Sequence, residues 1–264
     1  MTGPIEVYGA DGIRPVADVV LASLPLSYSP GRSISGSVAV IAGSGDWPSA
    51  VADALDEGAV GAIIVWPQPA DTEGLRARSG KPIALDSRWS ANPVVQSAAG
   101  AFADALPQGE RIECRVLLGV GASLESALLD QLSLIRALFG EATEVRVLTH
   151  SVNGYAAEAS AAGHPVDLSV VCTDAVPENA TVRLLAGDRS VDLTIPSGDT
   201  ARPAQLSVTS PDGTVLAPTL YESGHRATWR RVRKLLDQQQ TVSDLENFEA
   251  DRQAAVTAFQ NAEG

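Results

Sequence analysis

The sequence lacks most of the features that would indicate a function directly. No apolar run reaches the roughly 20 residues of a membrane-spanning helix, and the amino terminus has no basic start followed by a long apolar stretch. Cys114 and Cys172 are the only cysteines, and both lie in apolar, strand-like runs. We therefore expect two buried thiols in a cytoplasmic protein, with a disulfide as the alternative.

Positive charge is also scarce. The chain has 19 Lys and Arg residues against 32 Asp and Glu residues, for a formal net charge of -13. Its only lysines are Lys81 and Lys234. Nucleic acids and anionic membranes attract basic surfaces, so the composition argues against both as partners.

Several catalytic motifs are missing. His150, His164 and His225 show no metal-ligand spacing, so we expect no metal site. No G-x-S-x-G nucleophile elbow is present. Gly43-Ser-Gly45 lacks the Gly-Lys-Ser/Thr that completes a P-loop, which favours a loop at the end of a strand.

The first half of the chain alternates short apolar runs with helical patterns. Continuous apolar runs indicate strands buried on both faces, and alternation with helices predicts a parallel sheet with right-handed crossovers. The predicted strands are Ile5–Tyr8, Val38–Ala42, Ala62–Val65 and Ile83–Asp86. The predicted helices are Pro15–Leu24, Pro48–Asp56, Thr72–Arg78 and Pro93–Leu106.

The pattern changes after Pro107. Apolar residues at three- and four-residue spacing predict an amphipathic helix over Leu124–Phe139 that ends at Gly140. Strands with short turns follow, which favours antiparallel pairing. One strand is predicted before this helix, at Ile112–Leu118. The strands after it are predicted at Glu144–Leu148, Asp167–Cys172, Thr181–Ala186, Ser190–Ile195, Gln205–Thr209 and Val215–Leu216. Helices close the chain, the last with a capping box at Ser243-Asp-Leu-Glu246.

Three segments carry a family resemblance. Ser37–Leu55 (SVAVIAGSGDWPSAVADAL), Gly58–Ala70 (GAVGAIIVWPQPA) and Gly80–Pro93 (GKPIALDSRWSANP) resemble, in order and spacing, the dinucleotide-binding domain of the Gfo/Idh/MocA oxidoreductases. The family name stands for glucose–fructose oxidoreductase, inositol dehydrogenase and rhizopine catabolism. The helix ending at Gly140, the later strands and the closing helices continue the resemblance to the carboxyl terminus.

The resemblance implies an α/β plus α+β fold. A truncated Rossmann-like parallel-sheet domain is expected over residues 1–111, because the segment before Val38 is about one strand–helix unit short. An open, mostly antiparallel sheet domain is expected over residues 112–264, with its carboxyl-terminal helices returning to the first domain.

The groups that bind the cofactor and move the proton in the family are absent. In place of G-x-G-x-x-G the chain has Gly9-Ala-Asp-Gly12, with glycines at the wrong spacing and Asp11 where a diphosphate would bind, so we expect a plain turn. Pro67 aligns with the catalytic lysine of the family's Glu-Lys-Pro phrase. Lys81 is a weak alternative for the catalytic lysine. It lies nearby in sequence, but it aligns better with the start of the next strand.

The family's acid/base histidine lies ten residues before the helix-ending glycine, and counting back from Gly140 gives Asp130. Asp130 is a weak catalytic alternative to a solvated residue on the polar face of the helix. The resemblance also implies a ligand cleft with Trp66, Arg88 and Asn92. Arg88 would bind an anion or order its turn, and Trp66 would line the cleft or fill the empty cofactor site, which we favour.

These observations predict a catalytically degenerate oxidoreductase-family protein that binds no cofactor. We expect it to act as a subunit or binding partner, forming a homo-oligomer or a hetero-oligomer with an intact dehydrogenase through the sheet of residues 144–216. The alternative is an active oxidoreductase on a sugar- or polyol-like substrate, with an atypical NAD or NADP site. A third possibility is a small-molecule sensor that uses the same cleft without chemistry.

Overall fold

A computed structural model describes residues 3–10, 12–76, 80–198, 200, 202–240 and 244–263. The chain divides into two compact units. The first contains the described residues of Met1–Ser87 and Ser223–Glu249, and the second contains those of Arg88–Glu222 and Ala250–Gly264.

The first unit is built on a five-stranded sheet in which every neighbouring pair is parallel. Its strands are β1 (Ile5–Gly9), β2 (Tyr28–Pro30), β3 (Val38–Ala42), β4 (Gly61–Val65) and β5 (Ile83–Asp86), in the order β2-β1-β3-β4-β5. Its helices are α1 (Arg14–Ser23), α2 (Trp47–Asp56), α3 (Glu73–Arg76), α6 (Gly224–Asp237) and the start of α7 (Leu245–Glu263). The four sequence-predicted strands are confirmed.

Helix α6 completes the core of this unit. Its buried residues Trp229 and Val232 belong to the same apolar cluster as the residues of β1, β3 and β4. The Tyr28 hydroxyl donates to the Trp229 carbonyl at 2.6 Å. Asp244 covers the exposed edge of β5, because its carboxylate accepts the Leu85 N–H at 2.9 Å. An edge strand covered in this way is protected from pairing with other chains.

The second unit contains an eight-stranded sheet. Its strands are β6 (Gly109–Leu118), β7 (Ala142–Ser151), β8 (Gly154–Ala161), β9 (His164–Cys172), β10 (Asn179–Ala186), β11 (Ser190–Pro196), β12 (Gln205–Ser210) and β13 (Gly213–Leu216), in the order β13-β12-β11-β10-β6-β9-β8-β7. β6 and β9 pair in parallel, and the remaining pairs are antiparallel. The expected fold class, a Rossmann-like parallel sheet followed by a mostly antiparallel one, is therefore confirmed.

Two helices cover one face of this sheet, α4 (Pro93–Ala105) and α5 (Leu124–Phe139). Phe102 of α4 and Phe139 of α5 pack edge to face, with 5.0 Å between ring centroids. The sequence analysis placed α4 in the first domain, whereas here α4 packs on β10, β11 and β12 of the second unit. The physical reason is that its apolar face, with Phe102 fully buried, faces this sheet and α5.

A buried polar network fastens α5 to three strands. The Gln131 amide donates to the carbonyls of Cys114 at 2.8 Å and Ser169 at 3.1 Å, and it accepts from the Tyr155 hydroxyl. Cys114 and Cys172 are both buried free thiols, as the sequence analysis expected. Burial raises the pKa of the Cys114 thiol to about 12, which makes it unreactive.

The structure describes one predicted helix in full and two other predicted features in part. Helix α5 has the predicted bounds, and Gly140 ends it with φ of 91°. The capping box at Ser243-Asp-Leu-Glu246 falls partly outside the described residues, as does the end of the predicted Thr72–Arg78 helix. None of the described helices is long and apolar enough to cross a membrane.

Candidate functional site

The carboxyl edge of the parallel sheet is the place where a cofactor would bind in this class of fold. β2 and β3 lie on opposite sides of β1, so the connections leaving β1 and β3 run in opposite directions. Open α/β sheets bind ligands outside the carboxyl ends of their strands at such a switch point. The turn of Gly9–Gly12 and the loop after β3 therefore occupy the relevant position.

The turn after β1 does not reproduce a dinucleotide-binding loop. Ile13 and Arg14 both donate their N–H groups to the Ala10 carbonyl at 3.0 Å, which forms the expected turn; Asp11 itself lies outside the described residues. Counting from Gly9, the third glycine of G-x-G-x-x-G falls on Arg14, an exposed residue at the start of α1. A side chain stands where the motif needs glycine for close helix–strand packing.

The loop after β4 is fixed tightly against the loop after β3. A Cβ on Gly43 would lie 2.4 Å from the Pro67 Cα, so only glycine fits there. Gly43 accepts the Gln68 N–H at 2.7 Å and donates its own N–H to Val65 at 2.8 Å. Pro67, which aligns with the family's lysine, is thus part of a closed structural contact.

Trp66 adopts a conformation that bulky residues rarely take. Its φ is 51°, in the left-handed region, and its N–H donates to the Asp86 carbonyl at 3.0 Å. The side chain packs against the core cluster of the first unit. Its ring centroid lies 5.5 Å from that of His225.

Asp86 and His225 form a buried pair beside Trp66. Asp86 is the last residue of β5 and is 1% exposed. Its carboxylate contacts Nδ1 of His225, which lies in the first turn of α6. His225 thus gives the buried Asp86 carboxylate a hydrogen-bonding partner, and the contact holds α6 against the end of β5.

Lys81 lies at the opposite edge of the sheet, before β5 begins. Its Nζ donates to the Leu55 carbonyl at 2.9 Å, at the end of α2. A lysine that satisfies a carbonyl of a helix carboxyl terminus has a structural explanation. The geometry gives no support to the catalytic alternative for Lys81.

In the second unit, α5 brings Asp130 close to Arg88. Burial is the main cause that raises the pKa of the Asp130 carboxyl to about 7, while the charge and the backbone N–H of Arg88 act in the opposite direction. Asp130 is only partly exposed. Arg88, which a turn distant in sequence supplies, is thus the cation that influences Asp130, and the choice between a catalytic and a solvated role for Asp130 stays a prediction.

Arg88 also binds a second carboxylate. Its Nη1 donates to Glu178 Oε2 at 3.1 Å, and the other Glu178 oxygen accepts the Gly119 N–H at 2.9 Å. Asp174 accepts the neighbouring Val120 N–H at 3.0 Å. These loops follow β6 and β9, the parallel pair of the second sheet, so they meet at one edge.

The three expected cleft residues have different roles. Asn92 caps α4, with its side chain accepting the Val94 N–H at 3.1 Å. Arg88 belongs with Asn92 to the second unit, whereas Trp66 belongs to the first. Their joint role as a ligand cleft stays a prediction.

Sequence reasoning missed Glu178, Asp86 and His225. Nothing in the local sequence marks Glu178 or His225, because only the folded chain brings Glu178 to Arg88 and His225 to the end of β5. The one available signal was that Asp86 ends an apolar strand, where a buried carboxylate requires a partner.

The geometry of both units defines an oxidoreductase-like fold, and comparison with solved structures agrees. UDP-N-acetylglucosamine 3-dehydrogenase GnnA from Acidithiobacillus ferrooxidans matches with a TM-score of 0.65 and 15% identity, over 98% of this chain and 88% of its own. KijD10, a 3-ketoreductase from Actinomadura kijaniata in complex with NADP, matches with a TM-score of 0.67 and 12% identity, over 96% of this chain and 95% of its own. An oxidoreductase from Pseudomonas syringae matches with a TM-score of 0.69 and 12% identity, over 100% of this chain and 96% of its own.

GnnA and KijD10 are Gfo/Idh/MocA-type oxidoreductases, so the chain has the fold of that family. At these identities the likeness shows the fold alone. No protein-family model matches the sequence, and no curated protein matches it.

Proposed function

We propose that the chain is a catalytically degenerate protein of oxidoreductase fold, acting as a non-catalytic subunit or binding partner of an active dehydrogenase. The observation that carries the proposal is the loop after β4. Where the family holds its lysine, this chain has Pro67 in contact with Gly43, next to Trp66 in a left-handed conformation. A loop fixed by packing and backbone hydrogen bonds has no group that donates a proton.

The cofactor loop supports the same proposal. Arg14 replaces a motif glycine at the start of α1, and Asp11 adds negative charge in the sequence of the turn. NADP, which KijD10 binds according to its description, would lack its usual backbone contacts here. A cytoplasmic location belongs to the proposal, supported by the two buried free thiols.

The partner surface we propose is the outward face of the eight-stranded sheet, including the strands between residues 144 and 216. This face carries both charged residues and exposed apolar residues, among them Leu148 and Val171. One outward row crosses six strands in register: Asp192, Arg183, Glu113, Asp167, Glu158 and Arg146.

Charge complementarity is the stronger argument for assembly. Three arginines of this face pair within the chain, in the contacts Arg183–Asp192, Arg111–Asp167 and Arg146–Glu158. Among the described residues, neighbouring Glu113 and Arg115 form no ion pair. A partner sheet carrying the same pattern, from a second copy or an intact homologue, would pair with both.

Co-purification from the native host tests the function. We expect a dehydrogenase to be retained with the tagged chain, and we expect Glu113→Arg to release it. Tyr8, an exposed residue of the first unit, gives the control variant Tyr8→Ala, which should leave retention unchanged. A mass near 27.4 kDa by light scattering, unchanged when a retained protein is added back, would contradict the proposal.

A second function is favoured by one observation. A carboxyl group whose pKa is near 7 is suited to general acid/base catalysis at neutral pH, and Asp130 is such a group. The chain would then be an active oxidoreductase on a sugar- or polyol-like substrate with an atypical NAD or NADP site. Under the first proposal Asp130→Ala leaves the activity of the complex nearly intact; under the second it lowers turnover about 100-fold or more.

A further inference from the structure

The hairpin that joins β7 to β8 turns at an asparagine that precedes a glycine. Val152 and Asn153 form the turn and are exposed to solvent, and Ser151 pairs with Gly154 on its two sides. The Asn153 N–H donates to the Ser151 hydroxyl at 3.2 Å, and the Asn153 carbonyl accepts the Cys172 N–H at 2.8 Å. The chain has five asparagines, and Asn153 alone is followed by glycine.

A second hairpin of the same sheet has this turn with an aspartate in place of the asparagine. The turn between β12 and β13 reads Ser210-Pro-Asp-Gly213, against Ser-Val-Asn-Gly between β7 and β8. Asp212 donates its N–H to the Ser210 hydroxyl at 3.3 Å, as Asn153 does to Ser151. The glycines that follow have φ of 128° and 149°. An aspartate is therefore compatible with this turn.

Glycine is required at the position after Asn153. A Cβ on Gly154 would lie 2.1 Å from the Val170 carbonyl oxygen of the neighbouring strand β9, so no other residue fits. The corresponding Gly213 meets nothing within 4 Å. A glycine also places no side chain in the way of reactions at its own backbone nitrogen.

We propose that Asn153 is a site of spontaneous deamidation. The Gly154 nitrogen loses its proton to solvent base and attacks the Asn153 Cγ, and the new C–N bond closes a cyclic succinimide. The Cγ–Nδ2 bond breaks, and the nitrogen takes up a proton and leaves as ammonia. Water then adds to one of the two succinimide carbonyls. Opening at Cγ gives aspartate with a normal backbone, whereas opening at the main-chain carbonyl gives isoaspartate, whose backbone runs through the side chain.

The other four asparagines are placed less favourably for this reaction. Asn92 precedes Pro93, whose nitrogen carries no proton to lose. Asn179 begins β10, while Asn247 and Asn261 lie within α7, and each of these three precedes a residue with a side chain. Asn261 is exposed to solvent, as Asn153 is, so it serves as an internal control.

The two products differ in what they do to the sheet. Aspartate changes only the charge, and the turn at Asp212 already accommodates it. Isoaspartate lengthens the backbone by one methylene group just before Gly154, which pairs with Val171 of β9 and lies tightly against that strand. We therefore expect isoaspartate, but not aspartate, to weaken the pairing of β8 with β9.

Peptide mapping of the full chain by mass spectrometry, after incubation at neutral and at mildly alkaline pH, tests the proposal. Because asparagine is a thermolabile residue, we expect the peptide that contains Asn153 to gain about one dalton with time. The gain should be faster at the higher pH, since the Gly154 nitrogen reacts after losing its proton. The peptide that contains Asn261 should keep its mass, and Asn153→Gln should remove the product.

Urea denaturation tests the consequence. We expect Asn153→Asp to unfold at the same urea concentration as the unmodified chain, and an aged fraction rich in isoaspartate to unfold at a lower one. Conversion of Asn261 at the same rate as Asn153 would overturn the proposal. So would an Asn153 that stays intact in the folded chain while it converts in the urea-unfolded chain, because the turn would then protect it. An isoaspartate-rich fraction as stable as the unmodified chain would overturn the assigned effect on the sheet.

Discussion

The carboxyl edge of the parallel sheet and the edge formed by β6 and β9 differ in how they use their polar groups. In the first unit Gly43 lies close against Pro67 and forms backbone hydrogen bonds with Val65 and Gln68, while Trp66 donates its N–H to Asp86. In the second unit Arg88 and Glu178 remain partly exposed, beside a carboxyl with a raised pKa.

The two edges therefore differ in how their groups are held. At the carboxyl edge of the parallel sheet, close packing and backbone hydrogen bonds hold the loops, and the Asp86–His225 contact holds α6. At the edge of the second sheet, the ion pair between Arg88 and Glu178 stays partly exposed to solvent. Under our proposal, the first edge has lost cofactor binding.

The largest expected effect comes from breaking the contact between the two loops of the first unit. Gly43→Ala places a Cβ 2.4 Å from the Pro67 backbone, and we expect a loss of about 4 kcal/mol of unfolding free energy. Urea denaturation measures it. Gly74→Ala, in α3 where a Cβ meets nothing within 4 Å, is the control and should be neutral or slightly stabilising. Equal effects of the two changes would show that the loop contact is not tight.

The next effect separates a buried ion pair from an exposed one within the second unit. Arg136 binds Asp251 of α7 at 2.8 Å, with side-chain exposures of 18% and 4%. Arg136→Met leaves a buried carboxylate unpaired and should cost about 3 kcal/mol. Arg183→Met on the outward sheet face should cost less than about 1 kcal/mol in the same assay. Similar losses would mean that burial does not distinguish the two pairs.

A smaller effect depends on pH. The pKa of Asp130 is about 7 in the folded chain and near its ordinary, lower value when unfolded, so the folded state binds the proton more tightly. Asp130 therefore costs no stability at about pH 4, and its cost grows as pH rises towards 7. Asp130→Asn should stabilise by about 2 kcal/mol at pH 8, allowing for partial exposure, and by little at pH 4. A stabilisation that does not change with pH would contradict the raised pKa.

The sequence predicted regular elements better than the contacts between them. Helix α5 was readable because its apolar spacing and Gly140 agree, and β3 and β4 because they are unbroken apolar runs. β8 was missed because GYAAEASA has no β-branched residue, although its alternate residues are buried.

The candidate site was only half predictable for a related reason. The count from Gly140 identified Asp130, but its environment depends on Arg88, which a different strand–helix turn supplies. Glu178 accepts the Gly119 N–H across the edge where β6 and β9 end as parallel neighbours, and no local sequence pattern predicts that pairing. Topology, rather than composition, decides which charges meet.

The central claim is that the first unit no longer binds a dinucleotide. Calorimetric titration of the purified chain with NAD and with NADP tests it most directly, with an intact dehydrogenase of the same fold as positive control. We predict no saturable heat for either cofactor at concentrations up to about 100 μM, which corresponds to about 5.5 kcal/mol of binding free energy. A dissociation constant below that value would contradict the account and favour the alternative of an oxidoreductase with an atypical cofactor site.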